Sequence, residues 1–286
     1  MSLIIKTFER PLCLKRLLQS IRSQALTGCP ILVADDSRTP YEAEIMAEYD
    51  DVVDIYLSLP FNSGVSAGRN ALLDAVQTPY FVLNDDDFFY GPETNLAAAV
   101  KQLNNEQLDI LGGYLLEQKR IYTWPALPKR ISNLLNLYSN EWKLSEWMAA
   151  LTETDDGGIA VTREERHTPL QRCDLTHNFF IARTHSVRDV VGGWHAPLKS
   201  IGEHWEFFYR CKQAGLKVGH TRAFGIYHHA EAHESSNEYT AFRYGREQEM
   251  ISRSLQRHNL QYLQRGTRVI RNQYAQETTQ EKVEAE

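Results

Sequence analysis

The first hundred residues alternate between two kinds of apolar pattern, and that alternation limits what the chain can fold into. The runs "SLIIKTF", "PILVADDS", "VVDIYLS" and "YFVLN" are short and almost continuously apolar, as strands buried on both faces are. Between them lie segments with helical spacing. Leu14, Leu17, Leu18 and Ile21 follow Pro11, whose fixed φ suits a first helical turn, and residues 41–49 and "GVSAGRNALLDAV" read the same way. Strands and helices alternating over short connections predict an α/β domain, a mostly parallel central sheet with helices on both faces. In such sheets ligands bind beyond the carboxyl ends of the strands. Two of those ends carry acids, Asp35-Asp36 and Asp85-Asp86-Asp87.

Three adjacent carboxylates repel one another, so "NDDDF" is either a solvated turn or a place for a cation. Mg²⁺ and Mn²⁺ take oxygen ligands and often share them with substrate phosphates. Composition offers no competing partner: with 42% hydrophobic residues, 24% charged residues and a net charge of −6, nothing points to nucleic acid. The four cysteines, Cys13, Cys29, Cys173 and Cys211, are scattered without a CxxC pair and read as reduced thiols. No stretch approaches the ~20 apolar residues of a membrane span.

Residues 118–172 are less regular, with Trp124, Trp142 and Trp147, several prolines and a "DDGG" turn. The alternation resumes with "HNFFIAR", the loop "GGWHAPLKSIG", the helical "EHWEFFYRCKQAG" and two strands, "LKVGH" and "AFGIYHH". Beyond Ala230 a polar stretch at 231–240 reads as a lid or a linker. A long helix follows with Arg243, Arg246, Arg253, Arg257, Arg265, Arg268 and Arg271 against Glu247 and Glu249, and the polar end reads as a frayed tail. A charge-rich helix of that kind reads as a solvated face, or as an arginine stripe suited to an anionic lipid or acceptor surface.

In order, "IIKTFERP", "VADDS" and "NSGVSAGRNALLDAVQTPYFVLNDDDF" resemble the nucleotide-binding half of GT-A glycosyltransferases of the family 2 type. The downstream pieces "NFFIART", "HWEFF", "LKVG" and a late histidine are similar to the β-1,4-N-acetylgalactosaminyltransferase branch. The resemblance implies a GT-A domain over 1–230, comprising a nucleotide-binding half at 1–117, an insertion at 118–172 and an acceptor half at 173–230. Residues 231–286 form an extension with the lid-like loop, the arginine-rich helix and the tail. The resemblance further implies that Thr7 and Asp36 lie beside the nucleotide base, Arg69 approaches the diphosphate or helps hold the acidic motif, and Asp85 contacts the ribose. Asp86 or Asp87 would bind the metal, Mn²⁺ or Mg²⁺, completed by His229 with His228 as its competitor.

An inverting transfer needs a carboxylate to take the proton of the attacking hydroxyl. Glu203 and Glu206 share a face near a helix N-terminus, whose dipole favours the ionised form. Glu206 matches the branch motif and is the first choice, with Glu203 second. His204 stands where family 2 enzymes more generally carry an aspartate beside the glutamate. The expected activity is metal-dependent transfer of a sugar, GalNAc above all, from a UDP-sugar to a glycan or glycolipid hydroxyl with a β-linkage. Other UDP-sugar donors acting on polysaccharide, lipid carrier or modified DNA remain an alternative, as does a catalytically silent binding module. The expected setting is cytoplasmic, at most peripheral at the inner face of a membrane.

Overall fold

A computed structural model describes residues 1–26, 28–124, 128–135, 137–229, 242 and 245–275. The expected lid at 231–240 and the tail at 276–286 lie outside the described residues. In chain order the elements begin with β1 (Ser2–Thr7), α1 (Pro11–Ser23), β2 (Ile31–Asp35), α2 (Glu42–Tyr49), β3 (Ile55–Ser58), α3 (Val65–Ala75), β4 (Tyr80–Asp85) and β5 (Phe88–Phe89). Next come α4 (Leu96–Asn105), β6 (Ile110–Tyr122), α5 (Lys129–Leu134), β7 (Tyr138–Ser145), β8 (Met148–Glu153), β9 (Ile159–Arg163), β10 (Leu170–Cys173), β11 (Leu175–Thr176) and β12 (Phe180–Arg183). After a π-helical turn at Ser186–Val191 follow α6 (Glu203–Gln213), β13 (Val218–His228), α7 (Glu247–Arg257), β14 (Tyr262–Arg265) and β15 (Arg268–Arg271).

The large sheet runs in the order β10-β13-β6-β12-β4-β1-β2-β3, with β5 on β13 and β7 on β6. It is parallel through β3, β2, β1 and β4 and between β6 and β13, whereas β12 is antiparallel to both its neighbours. Alternation along β1 divides the core in two. Leu3 and Ile5 pack with Leu14, Leu17, Leu18 and Ile21 of α1 on one face. Ile4 packs with Leu72 and Leu73 of α3 on the other. Burial of β1, β2 and β4 explains their continuous apolar runs, whereas β3 lies at the sheet edge and leaves Ile55 exposed.

Register then sets the chemistry. Thr7 of β1 lies opposite Asp35 of β2, and Lys6 lies opposite Asp85 of β4, so three carboxyl ends finish together.

Two sequence expectations change. The "LKVGH" and "AFGIYHH" pieces are one strand, β13, with a register irregularity between His220 and Gly225 that absorbs the polar residues between them. The long arginine-rich helix stops at Arg257. Asn259 takes a left-handed φ of 55°, and the alternating "YLQRGTRVIR" turns at Gly266 (φ 57°) into the hairpin of β14 and β15. That hairpin pairs with β9 and completes a second sheet, β11-β8-β9-β14-β15. The chain's last described strands therefore share a sheet with strands from the 118–172 region.

Candidate active site

The carboxyl ends of β1, β2 and β4 and the start of α6 surround a cavity of about 410 Å³. Two acids lie at the end of β2, and they serve different ends. Asp35 accepts from the Ser37 and Tyr41 amides at 2.8 and 2.9 Å and from the Tyr56 hydroxyl at 2.8 Å, so it shapes the loop. Asp36 faces the cavity, ion-paired with Lys6 and accepting from the Gly64 amide at 2.6 Å. Gly64 opens α3 with φ +98°. A side chain there would meet the Lys199 backbone at 2.5 Å, so glycine is required for the close approach of these two loops.

The acidic triplet points three ways. Asp85 takes one arm of Arg69 at 3.0 Å. Asp86 is buried and accepts from the Thr7 hydroxyl at 2.8 Å, while Asp87 comes within 3.7 Å of His228 Nε2. Arg10 bridges the pair, donating to Asp86 and, at 2.9 Å, to Asp87. Burial pushes the Asp86 carboxyl up, against the pull of Arg10. Burial also acts on Asp87, but the nearby His228 imidazole and the Arg10 charge outweigh it and hold that carboxyl below the usual range. For His228 the balance reverses burial's lowering, and its contact with Asp87 raises it.

Thr7 is itself buried and does not line the cavity; it holds Asp86 instead. His229 is oriented differently from His228. Its amide donates to the Asp87 carbonyl at 3.0 Å, and its Nδ1 sits 2.8 Å from Arg16. Only His228 of the two lines the cavity.

Arg69, almost fully buried, is the link across the site. Its other arm reaches Glu203 at 3.4 Å, and its guanidinium lies 5.6 Å from the Trp194 ring. Glu203 and His204 line the cavity from the first turn of α6. His204 contacts Asn178 Oδ1 at 2.5 Å and stacks on Trp147, centroids 5.4 Å apart; burial, then Arg69, pushes its pKa down to about 3.

Glu206 faces away from the cavity. It is fully buried behind the helix, taking Arg210 at 2.9 and 3.1 Å and His258 at 3.1 Å. Those partners overcome burial and keep its carboxyl below the usual range. A three-residue spacing puts Glu203 and Glu206 on neighbouring turns, but α6 lies between the cavity and α7, and the helix splits the pair between them.

Of the tryptophans, Trp147 lines the cavity, Trp194 packs on Phe207 at 4.6 Å, and Trp205 is fully buried. Trp142 packs against Tyr227, and Trp124 is exposed. The arginines beyond α6 do not form a stripe. Arg253 pairs with Glu249, Arg268 with Glu247, and Arg257 reaches Glu206 and His195; Arg243 lies outside the described residues.

Sequence reading missed four cavity cations: Lys6, Arg10, Lys199 and Arg265. Lys6 and Arg10 flank the end of β1 and were readable in principle from "IIKTFERP". Arg265 was not, because it comes from β14, whose place depends on the second sheet. Its Nε is buried without a hydrogen-bond partner among the described residues, and burial lowers its pKa.

Five carboxylates (Asp36, Asp85, Asp86, Asp87 and Glu203) thus meet five cations (Lys6, Arg10, Arg69, Lys199 and Arg265) in one cavity. A nucleoside diphosphate entering it adds negative charge, which a divalent cation on Asp86 and Asp87 could balance. Among the described residues no three His, Cys, Asp or Glu side chains form a ready-made metal cage. A pair of oxygen donors fits a Mg²⁺- or Mn²⁺-type ion whose remaining ligands are water and substrate phosphate.

The "Glycosyl transferase family 2" model matches residues 2–155. Over 206 residues the chain is 34% identical to beta-1,4 N-acetylgalactosaminyltransferase 2 of Mus musculus, covering 71% of this chain and 34% of that protein. The chain therefore spans about a third of the length of this curated relative. Among solved structures it is similar to S. aureus TarS 1-349 in complex with UDP-GlcNAc, at TM-score 0.54 and 16% identity, covering 90% of this chain and 72% of that one. It is also similar to GalNAc-T7 with UDP, GalNAc and Mn2+, at TM-score 0.55 and 13% identity, covering 99% of this chain and 57% of that one. The architecture is the GT-A fold of these transferases, and the chain belongs to glycosyl transferase family 2.

Proposed function

We propose that the protein transfers a sugar from a UDP-sugar, with UDP-GalNAc favoured, to an acceptor hydroxyl, inverting the anomeric centre to a β-linkage. The observation that carries this reading is the convergence of Asp85, Asp86 and Asp87 with Glu203 on one cavity, tied together by Arg69. The N-acetylgalactosaminyltransferase relative supports the choice of sugar.

Asp86 and Asp87 would hold a divalent ion, Mn²⁺ or Mg²⁺, with His228 better placed than His229 to assist. When bound, that ion neutralises charge on the diphosphate leaving group. Asp36 faces the nucleotide base and Asp85 the ribose. Thr7 fixes the Asp86 carboxylate through its 2.8 Å hydrogen bond. Arg69, pre-aimed and almost without solvent, supplies positive charge where the diphosphate sits, at little reorganisation cost. Glu203 accepts the proton of the acceptor hydroxyl as it attacks, and Arg69 holds Glu203 on the donor side. His204, kept neutral by burial, and the Trp147 ring stacked on it offer an apolar face to a pyranose.

A second donor is favoured by one observation, the similarity to a transferase solved with UDP-GlcNAc. UDP release from a panel of UDP-sugars with Mn²⁺, with and without EDTA, tests the reading. Metal-dependent release from UDP-GalNAc supports both chemistry and donor. Release from another UDP-sugar keeps the chemistry and replaces the donor. Absence of UDP release and of UDP binding refutes the reading.

A further inference from the structure

We propose that the extension formed by the outer part of β6, helix α5 and strand β7 docks the protein on an anionic phospholipid bilayer. Eleven large hydrophobic side chains are exposed among the described residues, and six of them fall within 124–144: Trp124, Ile131, Leu134, Leu135, Trp142 and Leu144. Leu134 is 82% exposed and Trp124 61%, values that no folded core explains. The same stretch reverses the charge of the molecule. From 117 to 144 the sequence has Lys119, Arg120, Lys129, Arg130 and Lys143 against Glu117 and Glu141, in a chain whose net charge is −6.

Apolar side chains flanked by basic ones are what an interface between headgroups and acyl chains selects. Leucine and isoleucine enter the apolar boundary, tryptophan lies at headgroup level, and lysine and arginine meet anionic lipid. Lysine is depleted from protein–protein interfaces, whereas basic clusters beside apolar residues are drawn to anionic lipid, so the charge favours the membrane surface. Among the described residues no helix is long and apolar enough to cross a bilayer, so the contact is a surface contact.

The extension is also continuous with the cavity. Leu115 of β6 lines it, and Trp147 lines it just beyond the end of β7. From Leu115 to Tyr122 the paired strands reach about 23 Å outward, at ~3.3 Å per residue. Trp142 packs on Tyr227 and lies 6.3 Å from His229, which joins the extension to the strand end beside the acidic triplet. An acceptor carried on a lipid would thus be brought toward the cavity by the surface that docks.

The docking claim needs no catalysis and is tested apart from the proposed reaction. The assay is sedimentation of the full chain with vesicles of phosphatidylcholine alone and of phosphatidylcholine with phosphatidylglycerol (about 7:3). Two variants bracket the surface: Leu134→Glu/Leu135→Glu for its apolar part, and Arg130→Glu/Lys143→Glu for its charge. All four residues are exposed, and unchanged thermal melting verifies the fold of each variant. The wild type should bind the anionic vesicles at least about tenfold more tightly than the neutral ones and lose binding as salt rises. Each variant should bind the anionic vesicles at least about tenfold more weakly than the wild type. Failure of the wild type to sediment overturns the proposal, and so does unchanged binding by either folded variant. A concentration-dependent dimer that the leucine variant abolishes, with no vesicle binding, assigns the surface to a second copy of the chain and also overturns it.

Discussion

Glu206→Ala separates the two glutamates of α6 by their physics. Glu206 is fully buried and is held by Arg210 at 2.9 and 3.1 Å and by His258 at 3.1 Å. Deleting its carboxylate strands the Arg210 guanidinium, itself mostly buried, without its counter-charge. Removing one partner of such a pair costs about 3–5 kcal/mol. For a domain of this size each kcal/mol moves Tm by about 2–4 °C, so scanning calorimetry should show a fall of roughly 6–20 °C. The sign of the pH dependence follows from a carboxyl held below its ordinary range. Its contribution is complete above the unfolded carboxyl value of about 4.3 and is lost as pH falls through the lower folded value. The Tm gap between wild type and variant should therefore stay level from neutral pH down to about pH 5 and narrow below it.

Glu203→Gln should do the reverse. Arg69 keeps Asp85 at 3.0 Å, so the fold changes less, while sugar transfer drops by about 10²–10⁴-fold. If Glu206→Ala melted like the wild type yet lost transfer, and Glu203→Gln stayed active, the assignment of the base would be refuted.

Other consequences concern the charges in the cavity. Asp87→Asn should weaken Mn²⁺-dependent UDP binding, measured by calorimetry, by more than about tenfold, the equivalent of ~1.4 kcal/mol. Arg10 bridges Asp86 and Asp87, so Arg10→Ala should let Mn²⁺ alone bind roughly tenfold more tightly by electron paramagnetic resonance titration; unchanged affinity would mean Arg10 does not compete for those carboxylates. Arg265 reaches the cavity with a buried Nε lacking a hydrogen-bond partner among the described residues. Arg265→Ala should raise KM for an anionic substrate by about tenfold or more, with a smaller effect on kcat.

Much of the first half of the fold was legible because its signals are local. Buried parallel strands need uninterrupted apolar runs, Pro11 marks the start of α1, and acids at strand ends lie where ligands bind. Asp36, Arg69, Asp85, Asp86, Asp87, Glu203, His204 and His228 all reach one cavity.

What was not legible depends on which side of an element faces what. The spacing of Glu203 and Glu206 is the same whether or not a second helix packs behind them, and α7, which brings His258 to Glu206, is more than forty residues further along the chain. His228 and His229 are adjacent, and only the pairing of His228 with Phe88 turns one ring toward Asp87. The arginine-rich segment carries a helical pattern only as far as Arg257. Its continuation alternates and finds β9 as a partner, a long-range pairing that periodicity in one segment does not reveal.

The most direct measurement is a crystal structure with UDP and Mn²⁺, with data collected at the manganese absorption edge. The account predicts an anomalous peak within coordination distance of the Asp86 or Asp87 carboxylate and of the UDP diphosphate, with Arg10 displaced from between the two aspartates. UDP bound elsewhere, or bound in this cavity with no peak and Arg10 still bridging Asp86 and Asp87, would contradict it.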